Sequence, residues 1–234
     1  MKKLFIIMVL GCINLMGLAS DLKGINNFSQ FITQVPWEQM VKDNDVSKMK
    51  EYFSCDFCKS FTGNYSQFRL LECKLSSDKK NIEYEVRTNT SNEKIKIPVM
   101  KHEVFPYIRI CWFKALIEPY AKSNDSKKCI EAIKQLTVFL SIFASFENKD
   151  IFISVLAIRK LSGMQNELKQ FLIRHPKLFS KNQIKDMKSN NFLTMKFQNK
   201  YKLKISSIAI KLQHKASDSL NTVLENYPTS ALTP

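Results

Sequence analysis

LTVFLSIFASFENKDIFISVLAI, residues 136–158, decides the fold of this chain. Two strongly apolar runs, 136–146 and 151–158, are separated by the four polar residues 147–150. Neither run is long enough to cross a lipid bilayer by itself. A short polar break between two apolar helical runs predicts an antiparallel α-hairpin, and we expect this hairpin to form the centre of the core.

Helical spacing of apolar residues continues on both sides of this segment. It covers residues 21–53 and about 105–118, and it resumes after residue 125, where Asp125 or Ser126 could be the N-cap of the first arm of the hairpin. Ser180 is the candidate N-cap of a short helix. A long amphipathic helix is then predicted over about 192–226, because one apolar stripe recurs there every three or four residues. The residues of that stripe are Phe197, Tyr201, Ile205, Ile208, Leu212, Ala216, Leu220, Val223 and Tyr227.

Residues 80–100 have a different pattern. Ile82, Tyr84 and Val86 alternate with charged residues, and a second alternating run ends at Val99 after a polar loop. Two alternating runs joined by a short loop predict a β-hairpin over about 82–99. Pro98 lacks an amide donor, so its strand should lie at an edge of the sheet. The predicted fold class is therefore mainly α, with the α-hairpin core, the long C-terminal helix and one small β-hairpin.

The N-terminus predicts export. Lys2 and Lys3 precede the apolar run 4–18, and small residues end that run, which is typical of a signal peptide over 1–19. An alternative is a lipoprotein attached through Cys12, because residues 9–12 read Val-Leu-Gly-Cys. The rest divides into a single helical domain over 20–227 and a frayed tail over 228–234, with no further transmembrane span. The expected location is secreted or periplasmic.

Five cysteines would remain in the exported chain, and an oxidising compartment allows them to form disulfides. A bridge from Cys73 to Cys55 or Cys58 would close a loop of about 16 to 19 residues and contribute about 3 kcal/mol. Because sequence does not give the connectivity, all five cysteines are candidates. They are Cys55, Cys58, Cys73, Cys111 and Cys129.

Two chemical alternatives use the same cysteines. Cys55 and Cys58 have the Cys-x-x-Cys spacing of a thiol-disulfide redox pair, but a helical pattern precedes them and Asp56 would oppose a thiolate. Adding Cys73 and His102 would give a zinc ligand set, although the second close cysteine pair of the strong pattern is missing. The prediction is therefore no metal, no cofactor and no catalytic residues, with the redox pair as the alternative.

Positive charge is concentrated in the C-terminal third. The net charge is +15, and residues 177–215 contain ten lysines against one acid. This concentration predicts contact with an anionic surface or an acidic protein. Only five of the 36 basic residues are Arg, and base readout prefers bidentate Arg, so nucleic acid is not the expected partner. The candidate residues are Lys177, Lys181, Lys185, Lys188, Lys196, Lys200 and Lys204.

The three histidines show no spacing with an acid or a nucleophile that would indicate catalysis. His175 precedes a proline at a helix end, where histidine commonly binds carbonyls, and His214 is expected on a solvated face. With five glycines in the chain, no Gly-rich phosphate loop is present. The leading hypothesis is an exported, non-catalytic binding or structural protein of the cell envelope or exterior, or a secreted effector.

Overall fold

The computed structural model describes residues 25, 27–54, 69–87, 92–144, 148–198 and 200–230. Helices dominate this part of the chain, and one three-stranded antiparallel sheet accompanies them, which confirms the mainly α fold class. A 3-10 segment, Val99–Val104, and a π-helical segment, Phe113–Ile117, join neighbouring elements. The helices are α1 (Phe28–Thr33), α2 (Trp37–Lys42), α3 (Val46–Ser54), α4 (Phe105–Trp112), α5 (Glu118–Lys122), α6 (Ser126–Ile142), α7 (Ile151–Arg174), α8 (Lys181–Lys188), α9 (Asn191–Thr194) and α10 (Ser207–Glu225). The strands are β1 (Arg69–Leu75), β2 (Asn81–Arg87) and β3 (Asn92–Pro98).

Short polar side chains begin several helices, as the sequence predicts. The carboxylate of Asp125 accepts a hydrogen bond from the backbone N–H of Lys128 at the start of α6. Ser180 begins α8 with a capping box, in which its hydroxyl and the Gln183 side chain bond reciprocally to backbone N–H groups. Each cap satisfies amide donors that have no partner inside the helix. Both predicted caps are confirmed.

The sheet has the strand order β1-β2-β3, and both pairs are antiparallel. The predicted hairpin is β2 and β3, and Pro98 closes β3 on an edge strand, as expected. The additional strand, β1, contains a bulge between Leu70 and Glu72, which face Val86 and Glu85. The inserted residue breaks the alternation of apolar and polar side chains, so β1 lacks the two-residue period of a strand.

Aromatic side chains connect the sheet with the helices in the core. The Tyr84 ring of β2 lies edge-on to Phe143, with 5.2 Å between ring centroids, and Phe143 lies 5.4 Å from Phe139. Phe139 also contacts Phe105 and Trp112, and all of these side chains are buried. Burial of such large apolar surfaces is the main stabilising contribution in a domain of this size.

The two arms of the predicted α-hairpin are α6 and α7. The longer arm, α7, packs more extensively against α10 than against α6. The apolar side of α7 therefore lies against the C-terminal helix over much of its length. Helix α6 meets α7 at few positions and packs instead on the π-helical segment and α5, and the aromatic cluster joins its C-terminal end to the sheet.

A π-helical turn allows the helix that begins at Phe105 to pass Pro119. The sequence predicts a helix end near this proline, because proline donates no hydrogen bond and its ring clashes with the carbonyl four residues earlier. Over Phe113–Ile117 the helix widens, and the Glu118 N–H bonds to the Phe113 carbonyl. The helix then continues through α5 to Lys122. The wider turn removes the conflict with the carbonyl.

The long helix predicted over about 192–226 is wrong in its first half. Helix α9 ends at Thr194, residues 195–198 belong to no helix or strand, Lys202 has a positive φ of 51°, and α10 begins only at Ser207. The side chain of Gln213 replaces the missing helical bonds: it accepts from the Phe197 N–H at 2.6 Å and donates to the Met195 carbonyl at 2.9 Å. Two buried glutamines, Gln213 and Gln165, hold this segment through their side-chain amides.

The segment after α10 is hydrogen bonded rather than frayed through Ser230. The Pro228 carbonyl accepts from the Lys177 N–H, and the Ser230 N–H donates to the Phe179 carbonyl, each at 2.9 Å. The Tyr227 hydroxyl accepts from the Leu178 N–H. Residues 231–234, the predicted signal peptide 1–19 and Cys12 lie outside the described residues. Within the part of the chain that is described, no helix combines the length and apolarity that a membrane span requires.

Candidate functional site

The predicted cysteine sites are only partly described. Cys55 and Cys58 lie outside the described residues, so the redox pair and the zinc set remain predictions. Cys73, Cys111 and Cys129 are buried free thiols, which departs from the expectation that they form disulfides. The Cys111 and Cys129 thiols point to the backbone carbonyls of Trp37 and Ile117 inside the helical core.

Burial raises the pKa of each of these three thiols to about 12. A thiol in an apolar environment seldom forms the thiolate, which is the nucleophilic and metal-binding species. Cys73, Cys111 and Cys129 therefore behave as small apolar side chains of the core.

The predicted basic residues are exposed. Lys181, Lys185 and Lys188 lie on one face of α8 because they are four and three residues apart. The remaining four candidates, Lys177, Lys196, Lys200 and Lys204, lie in the segments that connect the helices or precede α10. One of them is neutralised: the Lys196 ammonium is 2.8 Å from the carboxylate of Asp218 on α10.

Three residues of the predicted apolar stripe are exposed. Tyr201 is 41% exposed, Ile208 68% and Leu212 60%, whereas the sequence predicts that the stripe packs along its whole length. On the other side of α10 the polar residues Gln213 and Ser217 are fully buried, together with Leu220 of the stripe. The reason is that α10 turns polar Gln213 and Ser217 inward to bond with the segment after α9.

Lysines accompany the exposed apolar side chains on α10. At about 100° per residue, Lys211 and Lys215 project within about 60° of Ile208 around the helix axis. The nearest acid on this side of the helix, Asp218, is paired with Lys196. We call Ile208, Lys211, Leu212 and Lys215 the basic-apolar face. It joins two exposed aliphatic side chains with two cations.

A second polar arrangement is buried, between α4, α6 and α7. The side chain of Lys160 enters the core from α7, and its ammonium nitrogen lies 2.8 Å from the Phe143 carbonyl and 3.1 Å from His102 Nδ1. The same nitrogen is 4.1 Å from the centroid of the Phe105 ring. Phe143 is the C-cap of α6, so Lys160 satisfies a carbonyl at the negative end of that helix.

Burial dominates the ionisation of this pair. It lowers the pKa of Lys160 to about 7, because the charged ammonium loses its hydration. Burial also lowers the pKa of His102 to about 2, and the nearby Lys160 charge adds to the effect. His102 is therefore neutral at physiological pH, and its proton is on Nε2 when Lys160 donates to Nδ1 and on Nδ1 when the neutral Lys160 amine accepts.

Arg109 is the next cation on the same side of α4, four residues after Phe105. Its side chain is 15% exposed, and its Nε lies 3.9 Å from the Glu167 carboxylate. This distance allows charge attraction but is too long for a hydrogen bond. Among the described residues, Arg109 Nε and His102 Nε2 are buried without a hydrogen-bond partner.

Gly163 makes room for the Arg109 guanidinium on α7. A Cβ atom at position 163 would lie 2.4 Å from Arg109 Nη1, far inside contact distance. A glycine within a long helix costs about 1 kcal/mol relative to alanine, so a packing reason for it is expected. The guanidinium is that reason.

These side chains line a cavity of about 110 Å³. Its walls are one face of the 3-10 segment and α4 and one face of α7, with Leu140 of α6 between them. Arg159 and Glu103, both exposed and 3.3 Å apart, belong to the same lining. The full lining is His102, Glu103, Phe105, Pro106, Arg109, Leu140, Leu156, Arg159, Lys160 and Gly163.

Sequence patterns indicate the exposed lysines as candidates but not the cavity. They give His102 only as a possible zinc ligand, and they do not indicate Lys160 or Arg109. The available signal is that Lys160 lies at helical spacing between Leu156 and Met164, inside an otherwise apolar stripe of α7. A lysine there must bury its ammonium or extend it to solvent, and sequence does not distinguish these outcomes.

The other two histidines bind neighbouring groups. His175 Nε2 lies 2.8 Å from the Glu118 carboxylate, which also accepts from Arg174. His214 is half-buried, with Nε2 2.9 Å from the Phe197 carbonyl, and not on a solvated face as predicted. Each contact stabilises the packing of helices. Neither places a nucleophile beside the histidine.

Comparison of the chain with protein-family models, with curated proteins and with solved structures gave no significant match. The function is therefore argued from the two arrangements described above, the basic-apolar face of α10 and the cation-lined cavity.

Proposed function

We propose that this protein is an exported, non-catalytic binding protein that attaches to anionic lipid surfaces at the cell envelope or exterior. The observation that carries the proposal is the exposure of Ile208 and Leu212 beside Lys211 and Lys215 on α10. A helix that combines exposed aliphatic side chains with flanking cations is typical of attachment to a membrane surface.

Lysines elsewhere in the C-terminal third add to this preference. Lys181, Lys185 and Lys188 are exposed on α8, and the only acid between 177 and 215 is Asp186. Each lysine near an anionic bilayer contributes about 1 kcal/mol, and the attraction decreases within about one Debye length. Insertion of Ile208 and Leu212 contributes about 1 to 2 kcal/mol each, because both are already partly shielded. Binding should therefore be reversible and sensitive to salt.

The buried thiols support a non-catalytic role. Cys73, Cys111 and Cys129 have pKa values raised to about 12, so none of them is suited to nucleophilic chemistry at neutral pH. Export itself is proposed from the basic head and the apolar run of the first 19 residues. The intact mass of the protein recovered from culture medium or periplasm tests this part. A mass that includes residues 1–19, in protein confined to the cytosol, would contradict export.

Co-sedimentation with vesicles tests the surface. Vesicles of phosphatidylcholine with 30% phosphatidylglycerol should bind the protein at low salt, and binding should decrease several-fold as salt rises from 50 to 300 mM. Pure phosphatidylcholine vesicles should bind it weakly. Equal binding to both vesicle types, or no binding at low salt, would contradict the proposal and favour an acidic protein partner.

Two double variants locate the contact. Ile208→Ser/Leu212→Ser should reduce vesicle binding several-fold without a change in circular dichroism. Met100→Ser/Ile173→Ser is the matched control, because it also removes two exposed apolar side chains, which are 86% and 53% exposed. The control should bind like the wild type. If both variants lose binding equally, the basic-apolar face is not the contact.

A further inference from the structure

The cavity between α4, α6 and α7 is independent of the surface proposed above. Two helical faces meet there, each with cavity residues at spacings of three and four: 102, 105, 106 and 109 on one side, and 156, 159, 160 and 163 on the other. Leu140 adds an apolar wall from α6. The cavity is thus a partly open pocket, lined by side chains held on regular elements.

Polar groups with unused hydrogen-bonding capacity belong to this lining. His102 is only 3% exposed, yet its Nε2 lacks a hydrogen-bond partner among the described residues, as does Arg109 Nε. Buried polar atoms in folded proteins almost always have partners, and an ordered water or a ligand can supply them here. Arg109 Nε is always a donor, and a donor selects an acceptor.

The charges around the cavity favour an anion. Arg109 and Arg159 are lining cations, Lys160 is partly neutral because burial lowers its pKa to about 7, and Glu103 is the lining acid. Glu103 is paired with Arg159 at the exposed side, and Glu167 reaches Arg109 only at 3.9 Å. Arg109 therefore keeps most of its hydrogen-bonding capacity. Its planar guanidinium matches the two oxygens of a carboxylate.

The size and the apolar walls define the rest of the ligand. A cavity of about 150 Å³ accepts a benzene ring, so about 110 Å³ admits roughly four to six non-hydrogen atoms. Phe105, Leu140 and Leu156 present apolar surface to such a ligand. We infer that the cavity binds a short-chain monocarboxylate, with the carboxylate held by Arg109 and the aliphatic chain against the apolar wall.

Isothermal titration of the full chain with acetate, propionate and butyrate, at constant ionic strength, tests the inference. Saturable binding with a dissociation constant on the order of 1 mM is expected for a ligand of this size. Butyramide, which has nearly the shape of butyrate without its charge, should bind at least tenfold more weakly. Equal binding of the amide, or no saturable binding of any of the three carboxylates, would overturn the inference.

Three variants separate binding from folding. Arg109→Gln should weaken butyrate at least tenfold, because a charge-assisted hydrogen bond is lost. Gly163→Ala retains the charge but displaces the guanidinium, and it should weaken butyrate similarly. Arg87→Gln, at an exposed arginine of β2 outside the lining, is the control and should change the dissociation constant less than threefold. If Arg109→Gln fails to fold, Gly163→Ala decides; unchanged butyrate affinity in a folded Gly163→Ala protein would refute the site.

Discussion

Replacing Lys160 by methionine should remove a specific pH dependence of stability. The ammonium of Lys160 is buried against Phe143, His102 and the Phe105 ring, and burial lowers its pKa from 10.5 to about 7. Between these values the unfolded chain holds a proton that the folded protein lacks. The free energy of unfolding therefore rises with pH in this window, and the full cost of burying the charge is present below pH 7.

The size of the effect follows from the two pKa values. Once Lys160 is mostly neutral in the folded state, each pH unit adds about 1.4 kcal/mol. Since the folded protein is still half protonated at pH 7, the integrated gain from pH 7 to pH 9 is about 2 kcal/mol. The three buried thiols act in the opposite sense, because their pKa values are raised to about 12 and their stabilisation is lost as pH rises through 9.

Urea unfolding at pH 7, 8 and 9 measures this effect in reducing buffer. The contribution of the thiols cancels when Lys160→Met is subtracted from the wild type, so the difference should contain the roughly 2 kcal/mol contributed by the amine. Lys185→Met is the matched control, because Lys185 is exposed on α8. Parallel pH profiles for the wild type and Lys160→Met would refute the burial of the ammonium. The stability of Lys160→Met at one pH is less informative, since the variant also leaves the Phe143 carbonyl unpaired.

Two further predictions concern the core. Cys73, Cys111 and Cys129 should resist N-ethylmaleimide in the native protein at pH 7.5 and react fully in guanidinium, and peptide mapping would read this out; rapid native labelling of any of them would contradict their burial. Phe139→Ala should lower the free energy of unfolding by about 3 to 5 kcal/mol because Phe139 is completely buried among aromatic rings, whereas Phe152→Ala, at a side chain that is 41% exposed, should cost under about 1 kcal/mol in the same urea titration.

Local sequence patterns predict the helices and strands in which the apolar period and the capping or turn residues indicate the same boundaries. Asp125 and Ser180 begin helices where a side-chain oxygen can accept an amide hydrogen bond, and residues 82–98 alternate as a hairpin requires. These signals depend on neighbours in sequence alone. The confirmed part of the fold is the part that such local rules govern.

Tertiary hydrogen bonds explain what the patterns missed. The break between α9 and α10 depends on Gln165 and Gln213, which bond to backbone groups up to 30 residues away. Because of those bonds, the non-helical conformation of residues 195–198 and 200–206 is favoured over the helix that the apolar spacing predicts. Ile208 and Leu212 consequently rotate to solvent, which an apolar period by itself does not predict.

The cavity was beyond sequence reasoning for a different reason. Arg109 and Lys160 are 51 positions apart, and each is an ordinary residue for an exposed helix face. Only the packing of α4 on α7, with Gly163 opposite the guanidinium, brings both cations into one lining. The spacing of residues within one helix does not predict that Arg109 and Lys160 line the same cavity.

The hydrogen bonds from the Lys177 N–H to the Pro228 carbonyl and from the Ser230 N–H to the Phe179 carbonyl close the region that contains α8, α9 and α10 at both ends. Together with the packing of α10 along α7, they restrain α10 from moving away from the rest of the domain. A protein that binds a membrane through α10 would therefore keep one orientation, with a fixed distance and tilt relative to the lipid surface. It would not rotate freely, as a domain attached through a flexible linker does.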